Sequence, residues 1–132
     1  GRGEARIEPF GEAFEFPQVH PARWGHARAG MAWGAMLDAR DPSGFFDRTV
    51  RLDLRTGECR QWRREQAIQL EPLFVPRPGS SAEDDGVLLV PTLADGDAAS
   101  VIGVIDAASM DCLAQLHAPQ VIPFGFHAAW AP

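Results

Sequence analysis

Short runs of apolar and β-branched residues alternate with turn-forming clusters along most of the 132 residues. The runs Met31 to Leu37, Thr49 to Leu54, Cys59 to Arg63, Leu73 to Val75, Val87 to Leu93, Ser100 to Asp106 and Cys112 to His117 have the length and side-chain types of strands. Between them stand Asp41-Pro42-Ser43-Gly44, Arg55-Thr56-Gly57, Pro78-Gly79-Ser80 and Asp95-Gly96-Asp97, whose glycines, prolines and short polar side chains suit tight turns. A helical apolar stripe shows only weakly, around Arg63 to Leu70. Many short strands at even spacing predict an all-β chain: sandwich, barrel or propeller.

The pattern also repeats. Val50 to Cys59 and Gly103 to Cys112 both read strand, Asp, small turn, acidic residue, Cys, at an offset of 53 residues. Met31 to Leu37 and Val87 to Leu93 stand 56 residues apart, as do Glu15-Phe-Pro and Glu71-Pro-Leu-Phe. One further step of 56 from Glu71 reaches His127. A period near this length, with about four strands per unit, approaches the roughly 40–50 residues of a β-propeller blade. The chain therefore reads as one domain, residues 1–132, of about two blades plus one inner strand. A closed propeller has about four to eight blades, so most of a ring is missing. The start at Gly1-Arg2-Gly3, without Met, fits a piece of something longer.

The residues in phase, Glu15, Glu71 and His127, each sit among aromatics or prolines. A charge in apolar surroundings is costly unless paired or bound to metal. Two carboxylates beside an imidazole suit a metal ligand with its outer shell, the carboxylate accepting the ring N–H and raising the basicity of the ligating nitrogen. The spacing equally admits strand-capping glutamates, glutamates paired with Arg77 or Arg23, and a core histidine.

Composition narrows the partners. Twelve basic residues, all Arg, against 18 acidic ones give a net charge of −6, which offers no general attraction to a phosphate backbone, so nucleic acid is not expected. With 45% apolar residues, a packed core is expected rather than disorder. The two cysteines, Cys59 and Cys112, form no CxxC pair and no disulfide framework, which points to a reducing, cytoplasmic compartment. No signal-peptide pattern or transmembrane-length apolar run is present.

The segments Ala13-Phe-Glu-Phe-Pro-Gln18, Gly44-Phe-Phe-Asp47 with Val50 to Gly57, Glu71-Pro-Leu-Phe-Val-Pro-Arg-Pro-Gly79, Ala82-Glu-Asp-Asp-Gly-Val-Leu-Leu89 and Pro123-Phe-Gly-Phe-His127 resemble the C-terminal part of the carotenoid cleavage oxygenase family. That family includes the carotenoid, apocarotenoid and stilbene dioxygenases and the retinal pigment epithelium isomerohydrolase. The resemblance implies the C-terminal blades of a seven-bladed β-propeller with non-haem Fe(II) on its axis. In the family, four histidines hold the iron and three outer-shell glutamates bond to ligand histidines. On the matching motifs, His127 is implied as the last iron ligand, and Glu15 and Glu71 as two outer-shell glutamates. The implied reaction is O2-dependent cleavage of a conjugated C=C bond in a carotenoid, apocarotenoid or stilbene, with Phe74, Phe124 and Phe126 either walling a substrate tunnel or filling the core. Peripheral membrane contact of the full-length protein stays open. The family usually has Gly after the ligand histidine, where this chain has Ala128.

The other three iron-ligand histidines would belong to earlier blades, so the isolated chain is expected to be inactive and marginally folded, with open strand edges prone to association. The alternative is a non-catalytic β-rich fragment or scaffold. His20 and His26 read as loop residues and His117 as strand-edge packing. Cys59 and Cys112 fall at equivalent repeat positions. Glu83-Asp84-Asp85-Gly86 lacks the alternating oxygen ligands of a Ca²⁺ loop and reads as an acidic turn, with Gly86 supplying a special backbone angle. Arg60, Arg63 and Arg64 read as a solvated strand edge.

Overall fold

The computed structural model describes residues 13–25, 29–38, 44–94, 100–125 and 127–130. Both chain ends (Gly1 to Gly3, Ala131-Pro132), His26, Phe126, Asp41 to Ser43 of the first expected turn and the whole of the last one, Asp95 to Asp97, lie outside these residues. Nine strands make two antiparallel sheets among the described residues. The first sheet runs in chain order: β1 (Glu15–Gln18), β2 (Met31–Met36), β3 (Arg48–Asp53) and β4 (Cys59–Trp62). In the second, β5 (Ala67–Gln69) and β6 (Leu73–Pro76) pair with successive stretches of β7 (Gly86–Ala94), followed by β8 (Val101–Asp106) and β9 (Cys112–His117). The meander order of each sheet is that of a propeller blade.

The expected strands form with ends shifted by a residue or two. The weak helical stripe does not become a helix: Arg63 to Leu70 is a turn and the short strand β5, and the described residues hold only a single 3-10 turn, Pro21–Arg23. Three residues of strand carry no readable period, so packing against β7 and β3 decides here rather than local pattern.

Both inner strands are irregular where the repeat places a glutamate. On β1, Glu15 pairs with Ala35 and Gln18 with Trp33, so three steps oppose two and the strand bulges. Phe16 occupies the bulge at φ 53°, a left-handed conformation rarely taken by a bulky residue. The second inner strand breaks at Leu70-Glu71-Pro72, between β5 and β6, where Pro72 has no N–H to add to the ladder.

The core fills the seam between the sheets. Trp33 stacks on Phe74 with ring centroids 4.5 Å apart, and its indole N–H donates to the Ala107 carbonyl at 2.9 Å. Met31, Leu88, Val90, Ile105, Ala107 and Met110 complete the cluster, with Trp62 against it. Each large side chain buried there contributes roughly 1.5–3 kcal/mol. A polar clasp crosses the same seam: buried Gln69 accepts from the Thr49 hydroxyl and donates to the Asp47 carbonyl, each at 2.9 Å.

The acidic turn also belongs to the seam. Glu83 accepts the N–H groups of Gly30 at 2.7 Å and Met31 at 3.1 Å, and Asp84 meets Arg51 at 3.1 Å. Gly86 serves a different purpose from the one expected. It has no positive φ; a Cβ there would collide with the Val75 carbonyl and the Phe74 ring, so close approach selects glycine. The arginines also differ from a uniformly solvated edge. Arg60 is exposed with Glu58, but Arg63 reaches Asp47 at 3.4 Å and Arg64 donates to Thr92 at 3.0 Å. Cys59 and Cys112 each open the last strand of a sheet and are exposed thiols. The second sheet ends differently from the seam: β9 is exposed along its whole length, Leu113 and Leu116 included.

Candidate metal-ligand site

Glu71, in the break of the second inner strand, is buried, yet its carboxylate is well supplied with donors. One oxygen, Oε1, accepts from the Gln18 side-chain amide at 3.0 Å. The other, Oε2, accepts the Ala128 backbone N–H at 2.8 Å and lies 3.4 Å from Nδ1 of His127. A buried carboxylate without such partners would lose several kcal/mol of hydration, so these contacts account for its presence.

His127 is the reverse case. Its side chain is 79% exposed, so it takes no part in this chain's own core. Its Nδ1 side faces Glu71, and the Phe16 ring stands edge-on at 5.6 Å. The bulge of β1 thus carries a contact to the imidazole as well as the Gln18 link. With Nδ1 turned to a carboxylate, Nε2 is the nitrogen left to bind a ligand. Ala128 performs its part through the backbone and does not enter the left-handed region, so this bond does not require the glycine usual in the resembling family.

Glu15 is not brought to the pair. It is exposed on β1, and among the described residues its side chain joins neither Glu71 nor His127. The arginines that could have neutralised the glutamates are engaged elsewhere: Arg77 with Asp85 at 2.7 Å and Arg23 near Glu83 at 4.0 Å. His20 caps the 3-10 turn, accepting the Ala22 N–H at 3.1 Å, and leans on Phe74. His117 is exposed at the end of β9.

Glu71 and His127 open onto a groove of about 890 Å³, walled by Pro17, Trp24, Phe74 and Trp130 among others. Phe74 thus does two things, lining this groove and stacking on Trp33. Phe124 packs edge-on against Phe45 instead.

The donor set fits one coordination position of a metal centre, an imidazole with an outer carboxylate. Among the described residues no three His, Cys, Asp or Glu side chains gather as a metal cluster, so a complete site needs donors from elsewhere. Sequence reasoning found the two central residues through their phase but missed Gln18, an amide with no periodic partner to mark it.

Comparison with known proteins gives a consistent result. The family model described as retinal pigment epithelial membrane protein matches residues 2–132. A carotenoid cleavage dioxygenase 8 homolog of rice chloroplasts is 30% identical, over all of this chain and 24% of its own length. The human mitochondrial carotenoid-cleaving dioxygenase is 30% identical over 89% of this chain and 20% of its length. Among solved structures, a cobalt-substituted apocarotenoid oxygenase of Synechocystis superimposes with a TM-score of 0.83 at 28% identity, covering 92% of this chain and 26% of that one. The chain thus spans about a quarter of the length of these relatives. No helix among the described residues is long and apolar enough to cross a membrane.

Proposed function

This chain belongs to the retinal pigment epithelial membrane protein family, and on that premise we propose that it is the C-terminal part of a non-haem Fe(II) dioxygenase. The proposed enzyme closes a seven-bladed propeller and cleaves a conjugated C=C bond of a carotenoid, apocarotenoid or stilbene with O2, giving two carbonyl products. Bound Fe(II) would supply O2 activation and a Lewis-acid centre. The chain's own residues would hold and orient. His127 would offer Nε2 to the metal, and Glu71 would fix the tautomer by accepting a hydrogen bond from Nδ1–H. Glu15 would serve as a second outer-shell glutamate toward a histidine from another blade. The apolar groove beside His127 would hold part of the polyene or stilbene and exclude water.

The observation that carries the reading is the buried Glu71 carboxylate 3.4 Å from Nδ1 of a histidine that is otherwise exposed. The relatives named as carotenoid-cleaving dioxygenases supply the reaction class. The remaining donors would come from earlier blades, so the segment alone is inactive. The two cysteines are exposed and far from any CxxC pattern, in keeping with a reducing compartment, and substrates of this kind partition into bilayers, so peripheral membrane contact belongs to the same proposal.

The test is anaerobic Fe(II) titration and turnover of the full-length protein carrying His127→Ala. Loss of iron binding and of double-bond cleavage is expected. Unchanged iron content and turnover would refute the assignment and leave the non-catalytic scaffold as the reading.

A further inference from the structure

We propose that Gln18 is a positioning residue for the Glu71–His127 pair, holding one carboxylate oxygen so that the other faces the imidazole. This rests on the reading of that pair given above. The terminal torsion of a glutamate is soft and roughly two-fold. A donor at one oxygen therefore does not by itself set the carboxylate plane. Here each oxygen has its own donor: Gln18 Nε2 on Oε1 at 3.0 Å, and the Ala128 N–H on Oε2 at 2.8 Å. The amide must present its NH₂, because its oxygen would meet a carboxylate lone pair.

Gln18 is itself held. It sits at the end of β1 opposite Trp33, beyond the Phe16 bulge, and is half-buried. The bulge sets Gln18 on the face of β1 that meets the second sheet, since paired residues stand on the same side and Trp33 stacks on Phe74 across the seam. The first sheet thus orients a carboxylate of the second. A neutral donor also has an electrostatic consequence. A cation in its place would offset the Glu71 charge and weaken its hold on the Nδ1 proton, whereas an amide leaves that charge available to the imidazole.

The experiment measures Fe(II) affinity by anaerobic chelator competition in the full-length protein, for Gln18→Met, Glu71→Gln, the double variant and His127→Ala. Metal-free melting is recorded alongside. Gln18→Met is expected to lower affinity by up to about tenfold, since groups bonded directly to a metal's ligand cost about 10–100-fold and Gln18 stands one step further out, and by at most about twofold more in the Glu71→Gln background, as an effect routed through Glu71 requires. Equal losses in both backgrounds would overturn the proposal, because the role would then be general support. No loss with Gln18→Met while His127→Ala weakens binding would also overturn it and leave the site assignment standing. Undiminished affinity in His127→Ala would overturn both. Should the Met variant not accumulate, Gln18→Asn, which keeps the amide but shortens its reach, is expected to give the same pattern.

Discussion

The seam between the sheets and the groove around His127 meet at Phe74 and are finished to different degrees. At the seam, Trp33, Leu88, Val90 and Ile105 are fully enclosed, and the Trp33 indole and the Gln69 amide have their partners. At the groove, Glu71 is enclosed and bonded, while His127 stands largely in solvent with Nδ1 3.4 Å from the carboxylate. The contrast separates two uses of burial. The seam is complete within this chain and accounts for its cohesion. At the groove only the carboxylate side is enclosed by this chain's own residues.

The sharpest way to break this contrast is to strip the seam. Trp33→Ala removes the Phe74 stack and the indole hydrogen bond, and the cost is expected to be about 3–5 kcal/mol, read from the urea midpoint. A loss under about 1 kcal/mol would mean the seam is not the principal core. Glu83→Ala comes next. It strips two backbone N–H groups of a charged acceptor, at an expected cost of about 2 kcal/mol by the same measurement.

Acid probes a weaker attachment. The Arg77 hydrogen bond holds Asp85 below its ordinary value of 3.8, and the Arg55 backbone N–H acts likewise on Asp53. A depressed carboxylate stabilises the fold above its unfolded value and loses that contribution as pH falls through its folded one. Melting temperature should therefore decline below about pH 3.8, and Asp85→Asn should reduce that decline. A pH-independent melt in this range would contradict the pairing. The smallest effect on stability is expected from His127→Ala: with a side chain exposed in this segment, it should change the segment's metal-free stability, read from the urea midpoint, by no more than about 0.5 kcal/mol. A larger loss would make His127 part of the scaffold and erase the contrast.

The same contrast explains what the sequence disclosed. The long strands β2, β7 and β8 are written in apolar runs because the seam selects them. The inner strands were harder to see. β1 is four residues with a bulge, and β5 is three residues whose flanks mimic a helical stripe. Glu71 and His127 stood out because a repeat places them at equal steps, yet equal steps did not bring Glu15 to them. Its side chain is exposed beside the bulge. The partners of Glu83 were invisible for another reason. An acidic turn looks the same in sequence whether it faces water or bonds the N–H groups of a strand 53 residues away.

The central claim is tested most directly by a crystal structure of the full-length protein loaded with Co(II) or Fe(II). The account predicts His127 Nε2 within about 2.2 Å of the metal, as imidazole–metal bonds require, and Nδ1 drawn to within about 3.0 Å of Glu71 Oε2. A metal bound without His127, or a His127 ring turned away from Glu71 in the loaded protein, would contradict it.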